Sequence, residues 1–502
     1  MNGATATEGT LLGHPKGLFV LFFTELWERF SFYSMRGILT LYTAGVVLAA
    51  LGAEAGGRAD AIYGAYLGFV YSSTFIGGML ADRLLGQRRA IYIGGSLMAL
   101  AQFTLAGHAL LLRGATPENV ASLNWMFFLG LALLSAGNGF FKPNISTIVG
   151  TLYHQNDGRR DSAFTIFYMG INIGALLASF SAGFAQKYGW HLGFLMAGTG
   201  MILGQLIFVW GRGTIEGKGL PPEGASLRKA GLAGIPNGIV LALGIGAFIP
   251  LVAYLISNPQ WVQSLALIIA GPIVLYLLWE ATRGSREEAA RMIVILVLCT
   301  FSMMFWGFFE LAGSTITRFT EDVVNRNIFG TEVQAAFLAN FVNPLLIIVL
   351  SIPAAALWTW LDRRRMEPSS PLKFVLGLGF LSLGFVMLLL GAKEAQASAS
   401  GKCAMIWLIL GFFFHTTGEL CLSPVGLSTI TKLSPARLVG MFMGVWFLSS
   451  ALGNVLAPWV AGSAEGLDFN QVFLRIALIT AAGGAVLLVL VPLLKRMMHG
   501  VK

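Results

Sequence analysis

Residues 17–42 read GLFVLFFTELWERFSFYSMRGILTLY. A helix of about 20 apolar residues crosses a bilayer, and this segment is long enough. It is apolar at both ends, yet it carries Glu25, Glu28, Arg29 and Arg36 in its interior. A charge near the bilayer centre costs at least about 2.5–3.5 kcal/mol on insertion scales, so such residues face a polar cavity and have partners. Glu25 and Arg29 are four residues apart, Tyr33 lies one turn further and Arg36 about another turn. That spacing draws one polar stripe down a helix face, with Glu28 beside it. The stripe has to point into a bundle, so other helices must surround this one.

The rest of the chain supplies them. Of its 502 residues 56% are hydrophobic and 11% charged, against about 25% charged in a soluble domain. Apolar runs fall at about 17–45, 62–81, 90–112, 124–148, 163–186 and 192–211. Two more follow at about 236–257 and 261–281, then six at about 292–316, 335–361, 372–391, 404–430, 438–463 and 471–494. The fold class is an all-α polytopic membrane protein with about 14 transmembrane helices; the ten-residue alternating strands of a β-barrel are not seen. The first run starts near Gly17 and continues without an AxA-type cleavage site, so it reads as a retained helix rather than a signal peptide. Cys299, Cys403 and Cys421 form no CxxC and read as packing residues.

The net charge of +9 reads as helix orientation and not as a nucleic-acid footprint. With the N-terminus inside, the inner loops hold Arg83, Arg88, Arg89, Arg159, Arg160, Lys218, Arg228, Lys229, Arg283, Arg286, Arg363, Arg364, Arg365 and Lys373, and the tail adds Lys495, Arg496 and Lys502. The outer loops hold fewer, such as Arg58, Arg113, Lys187, Arg326 and Lys393. An even number of spans places both termini in the cytoplasm. Residues 212–235, rich in Gly, Pro and Lys/Arg, read as a cytoplasmic linker. The chain therefore divides into a six-helix half over 1–211, a linker with two extra helices over 212–291, and a second six-helix half over 292–502. The loop GGMLADRLLGQRR, Gly77 to Arg89, resembles the one that marks the major facilitator superfamily.

Charges inside the spans are few. Besides the four in the first helix they are Lys142, Glu310 and Glu419, giving four acids and three bases. Such a near-balance suits a water-lined cavity of exchanging ion pairs. Other polar groups stand on single helix faces near a break: Lys142 before Pro143, Tyr168 and Asn172 four apart, Trp306 and Glu310 four apart, Asn343 before Pro344, and His415 and Glu419 four apart, followed by Pro424.

Five motifs in order carry a more specific likeness. ExxERF at Glu25, GNGFFKPN at Gly137, FYMGINIG at Phe167, GELCLSPVGLS at Gly418 and GVWFLSSALGN at Gly444 together resemble the proton-dependent oligopeptide transporter family, the peptide branch of the major facilitators. The resemblance runs from about Glu25 to about Pro458, and bacterial members carry an extra helix pair between the halves. Phe32 stands where the family has a tyrosine, Ser34 where it has a glycine, and Asn340 where a glutamine is common.

The resemblance implies proton-coupled symport of di- and tripeptides across the inner membrane, with no cofactor beyond the proton gradient, no enzymatic activity and a monomeric carrier. A short peptide is a zwitterion whose ends can be held while its side chains are only loosely contacted. Arg36 and Lys142 suit its carboxylate. Glu419 suits the amine, with Asn172 and Asn343 as neutral partners. Tyr33, Tyr71, Tyr168, Trp306 and Trp446 suit the lining. Glu25, Glu28, Arg29 and Glu310 are expected to couple the proton. By the same resemblance Arg36 pairs with Glu310 and Lys142 with Glu419 as gating salt bridges, while His415 is expected to be a hydrogen-bonded ring. A carrier for a non-peptide anion such as nitrate or a drug-like molecule is the alternative. No HExxH occurs and no membrane helix holds GxSxG, which argues against an intramembrane enzyme.

Overall fold

The computed structural model describes residues 10–114, 117–153, 157, 159–215, 217–230, 234–435 and 439–500; Lys502, counted above with the basic tail, lies outside them. Among the described residues are fourteen helices of 21 to 35 residues and one short one. The first six are α1 (Lys16–Tyr42), α2 (Ala55–Leu80), α3 (Gln87–Leu111), α4 (Pro117–Thr151), α5 (Arg160–Tyr188) and α6 (Trp190–Trp210). The pair α7 (Asn237–Ser257) and α8 (Pro259–Arg283) follows. Then come α9 (Arg286–Phe309), the short α10 (Thr315–Asp322), α11 (Ala335–Arg363), α12 (Ser370–Ala397), α13 (Ile406–Leu433), α14 (Val439–Ala461) and α15 (Phe469–Met497).

Among the described residues, twelve spans are long and apolar enough to cross a membrane. The two long helices outside that set are α1, which holds Lys16, Glu25, Glu28, Arg29 and Arg36, and α2, which holds Arg58, Asp60, three tyrosines and six glycines. The polar helices are thus the first two. Several edges differ from the sequence expectation by up to seven residues, and two of the differences bear on buried charges. Helix α2 begins at Ala55, seven residues before the apolar run, so Asp60 lies within it. The run expected over 292–316 is broken: α9 stops at Phe309, Glu310–Gly313 form a 3₁₀ turn, and α10 continues to Asp322. Glu310 therefore stands at a helix break.

Contacts divide the chain into two compact units, residues 1–38 with 72–254 and residues 39–71 with 255–502. In the first, α3 packs on α4 and α6, and α5 packs on α6. Small residues bring neighbours onto the middle of α1. A Cβ at Gly174 of α5 would come within 3.0 Å of the Arg29 Cβ, and one at Gly200 of α6 within 2.6 Å of the Phe30 ring. Such faces replace the hydrophobic drive that lipid removes between helices. In α4, Pro143 has no N–H to give the Gly139 carbonyl four residues back. That carbonyl abuts Gly77 of α2, where only a glycine fits.

The second unit repeats the neighbour pattern, with α12 packed on α13 and α15. Such repetition is the mark of a chain built from related halves. Helices α9 and α14 cross backbone to backbone, since a Cβ at Gly307 would lie 2.6 Å from the Gly453 carbonyl oxygen. Pro458 leaves the Asn454 carbonyl without its helical donor, and Gly64 of α2 is the residue pressed against it. Asp60, fully buried, accepts hydrogen bonds from Arg318 Nε at 3.0 Å, Arg318 Nη2 at 2.7 Å and Thr315 Oγ1 at 2.7 Å.

Removing one partner of a buried ion pair strands the other at a cost of about 3–5 kcal/mol, whereas removing both charges together is far milder. Arg318→Met is expected to lower the thermal unfolding midpoint of the purified protein, and the double variant Asp60→Asn/Arg318→Met to recover much of the loss. A double variant less stable than the single one would contradict this account of the pair.

Candidate functional site

The polar stripe of α1 folds into a closed cluster within the first unit. Arg29 Nε lies 3.2 Å from Glu25 Oε1, the i,i+4 pair read from the sequence. Arg29 also grips Glu28 with both arms of its guanidinium: Nη2 donates to Oε1 at 2.7 Å, and Nε donates to Oε2. Adjacent helix residues ordinarily point apart, so this second pairing was not visible in the spacing. Glu25, Glu28 and Arg29 are 3%, 0% and 3% exposed, so three charges share a site closed to solvent. Asn138 Nδ2 donates to Glu28 Oε1 at 3.4 Å from α4. Sequence reasoning passed over Asn138, although it sits one turn before Lys142 within the same motif; a buried amide four residues from a charge was the available signal.

Phe32, where the family has a tyrosine, is buried under this cluster with its ring centroid 5.2 Å from the Arg29 guanidinium carbon. Its face supplies a cation–π contact that needs no hydroxyl. Tyr33 makes an edge contact with Phe32, and Arg36 lies 5.4 Å over the Tyr33 ring. Lys142 is half-buried on α4. Tyr168 is 46% exposed, and its carbonyl accepts from Asn172 Nδ2 at 3.0 Å.

The second unit holds the remaining candidates. Glu310, 7% exposed at the start of the 3₁₀ turn, accepts from Tyr71 Oη at 3.2 Å. Thr40 Oγ1 donates to the Gly313 carbonyl at 2.8 Å and fixes the end of that turn. On α11 Asn343 Nδ2 donates to Glu419 Oε2 at 3.0 Å and to Thr416 Oγ1 at 2.9 Å. The Asn343–Glu419 bond joins two residues that the sequence could place only on separate helices. Trp306 packs edge-on against Phe305 and Phe309. Trp446 is 4% exposed, set against Phe374 and in the space left by Gly426, so here it is part of the apolar interior. His415 also lies among aromatic rings, those of Phe309, Phe385 and Phe412. Its Nε2 has no hydrogen-bond partner among the described residues, while a backbone hydrogen bond with Leu381 holds the ring, in keeping with the hydrogen-bonded histidine expected from the sequence. No group of three or more His, Cys, Asp or Glu side chains among the described residues is placed to hold a metal ion.

Residues 95–472 match the family model for the POT family. The chain is 34% identical over 527 residues to the peptide transporter YePEPT of Yersinia enterocolitica, covering 99% of this chain and 98% of that protein. It is 33% identical to the di-/tripeptide transporter of Lactococcus lactis subsp. lactis, covering 99% of each. Among solved structures it resembles a mutant form of the peptide transporter POT in complex with alafosfalin, with a TM-score of 0.83, 34% identity and 98% of each chain covered.

The charge cluster sets its own test. Arg29→Met leaves two buried carboxylates without their cation, a loss of about 3–5 kcal/mol. Asn138→Leu removes a single long hydrogen bond to a charged group, worth about 1.5–3 kcal/mol at most. Arg29→Met is expected to depress the unfolding midpoint more than Asn138→Leu, and Arg29→Lys to restore part of it. Equal depression by all three would mean that the guanidinium does not hold the cluster together.

Proposed function

The chain belongs to the POT family, a multi-pass plasma-membrane family of the major facilitator fold, and on that footing we propose that it is a symporter carrying di- and tripeptides into the cell with protons by alternating access. The observation that carries this reading is the buried Glu25–Glu28–Arg29 cluster. Three ionisable groups closed off from solvent within an apolar span cost stability, and groups kept at such cost in transporters are proton and substrate sites.

We assign the roles as follows. Glu25, Glu28, Arg29 and Glu310 form the proton-coupling group. Arg36 and Lys142 bind the peptide carboxylate, because both donate charge-assisted hydrogen bonds. Glu419 receives the α-amine, and Asn343, already bonded to Glu419, holds the acid in a single orientation. Tyr33, Tyr71, Tyr168, Asn172 and Trp306 complete the lining as the halves rock. Protonation of Glu310, or arrival of the peptide carboxylate, releases Arg36; Lys142 and Glu419 exchange in the same way. Exchange with the peptide carboxylate replaces one ion pair by another, whereas protonation of Glu310 frees Arg36 to receive that carboxylate.

Uptake of labelled dialanine into proteoliposomes tests the reading. One charge moved through 100 mV is worth about 2.3 kcal/mol, which supports roughly fiftyfold accumulation for one proton per peptide. Accumulation is expected under a pH gradient and under a valinomycin-set potential; absence of peptide-stimulated proton entry would sink the proposal, and nitrate-driven entry in its place would favour an anion carrier. For the coupling group, Glu28→Gln is expected to abolish proton-driven accumulation while peptide counterflow continues. Loss of both activities, or of neither, would move the coupling site elsewhere.

A further inference from the structure

We propose that the groove between α2, α4 and α7 is a lipid site, taking one acyl chain of an acidic glycerophospholipid whose headgroup rests on Arg228 and Lys229. This site lies within the first unit and does not depend on the transport reading. Gly77, Leu80, Ala136, Phe140, Leu241 and Gly244 line a groove of about 270 Å³. An apolar cavity of about 150 Å³ already stays dry and takes up a benzene-sized guest, so a groove of this size calls for an apolar occupant. Its one hydroxyl neighbour, Ser73, donates to the Ser135 carbonyl at 2.7 Å and so is already satisfied within the protein.

The groove exists because small residues stand where side chains would fill it. Gly77 is drawn onto the Gly139 carbonyl, and a Cβ at Gly244 would meet nothing within 4 Å. It opens sideways: Ile76 on its edge is 45% exposed, Gly244 is exposed, and only 17% of the apolar window of α7 is buried. In a chain of this class that side faces hydrocarbon.

The choice of an acidic headgroup follows from the groove's end, which Leu84 and Asn237 line. Leu84 follows the exposed Arg83. The Asn237 N–H donates to the Lys229 carbonyl at 3.0 Å, and Asn237 Nδ2 donates to the Ser226 carbonyl at 3.2 Å. Leu227 packs on the apolar cluster of Leu85, Ala90 and Phe140, which carries Arg228 and Lys229, both exposed, to the same mouth. Asp82, which accepts from Gln87 Nε2 at 2.9 Å and keeps its charge, and Glu223 are outnumbered by the exposed cations Arg83, Arg228 and Lys229, which leaves this end net positive. By charge this end faces the cytoplasm, where basic residues attract acidic lipid.

The test uses the full-length protein in nonionic detergent, titrated with phosphatidylglycerol or phosphatidylcholine and followed by native mass spectrometry and by thermal unfolding. Wild type is expected to retain one phosphatidylglycerol with about tenfold preference over phosphatidylcholine, given two basic residues at the mouth. Arg228→Gln/Lys229→Gln, an exposed pair outside the helices, is expected to reduce that preference to less than about twofold. Gly244→Leu fills the groove and should lose the lipid-induced rise in midpoint. Gly246→Leu, on the same helix but outside the lining and equally free of nearby atoms, should keep it. Equal behaviour of the two glycine variants, or equal binding of the two lipids by wild type, would overturn the proposal. The charge variant decides the matter by itself should Gly244→Leu not fold.

Discussion

Arg29 holds two carboxylates at a depth where neither could stand unpaired, and the arrangement of the first unit follows from that burden. A guanidinium offers a rigid fork of donors, which is why one arginine can serve Glu25 along the helix and Glu28 beside it while its face rests on Phe32. A lysine would present a point charge on a flexible stem and could not lie flat on the ring. To exclude water from such a cluster the neighbouring helices must come close, and the glycines of α5 and α6 allow that approach. The conformational freedom those glycines would cost a soluble helix matters less here, where lipid gives no hydrophobic drive for association and close packing takes its place.

The same rule extends to the backbone. In hydrocarbon every carbonyl has to find a donor or a close, polarised contact inside the protein. Proline breaks that rule locally by withholding its N–H. The structure answers in the same way once in each unit: the carbonyl freed by Pro143 meets Gly77, and the carbonyl freed by Pro458 meets Gly64. A glycine Cα–H against a carbonyl oxygen is a weak contact, but it removes the exposure of the oxygen to lipid. The prolines thereby become packing points as well as weak places in their helices. Both α4 and α14 run through their prolines without interruption, whereas the break nearest a candidate residue, at Glu310, has no proline at all.

That contrast bears on how much could be read from the sequence. Hydropathy located the long helices because length and apolar content are local properties, and charges within an apolar run drew attention to α1 for the same reason. Asp60 and Arg318 escaped because each lies two residues beyond the edge of an apolar run; a helix that carries a buried ion pair near its end looks, by hydropathy, as if it stops early. The turn at Glu310 escaped because no proline precedes it, and Gly307, three residues earlier, lies inside α9 as a packing contact with α14 rather than as a stop. Asn138 and the Asn343–Glu419 bond escaped for another reason: which helix faces which is a tertiary fact, and an amide four residues from a lysine signals a polar face without naming what that face meets. The aromatic residues were the least legible. Trp446 and His415 carry polar atoms suited to a binding site, yet both lie within the apolar interior, His415 in the space that Gly384 leaves on α12. Residue type alone does not separate a lining ring from a packing ring.

A cluster of two acids and one base also has a property that a simple pair lacks. With both carboxylates ionised it carries one net negative charge, and with one proton bound it is neutral. In either state the guanidinium keeps at least one ionised partner within hydrogen-bond reach, so the change of charge strands no buried ion. A lone Glu–Arg pair would leave the arginine uncompensated whenever its acid took a proton. The proton in a triad belongs to the group rather than to one named oxygen, because both carboxylates face the same cation. The short spacing of Glu25, Glu28 and Arg29 on a single rigid helix keeps the three together whatever the surrounding helices do. For a carrier proposed to change conformation around its site, a proton-binding group built on one helix can accept or lose its proton in any conformation that admits water.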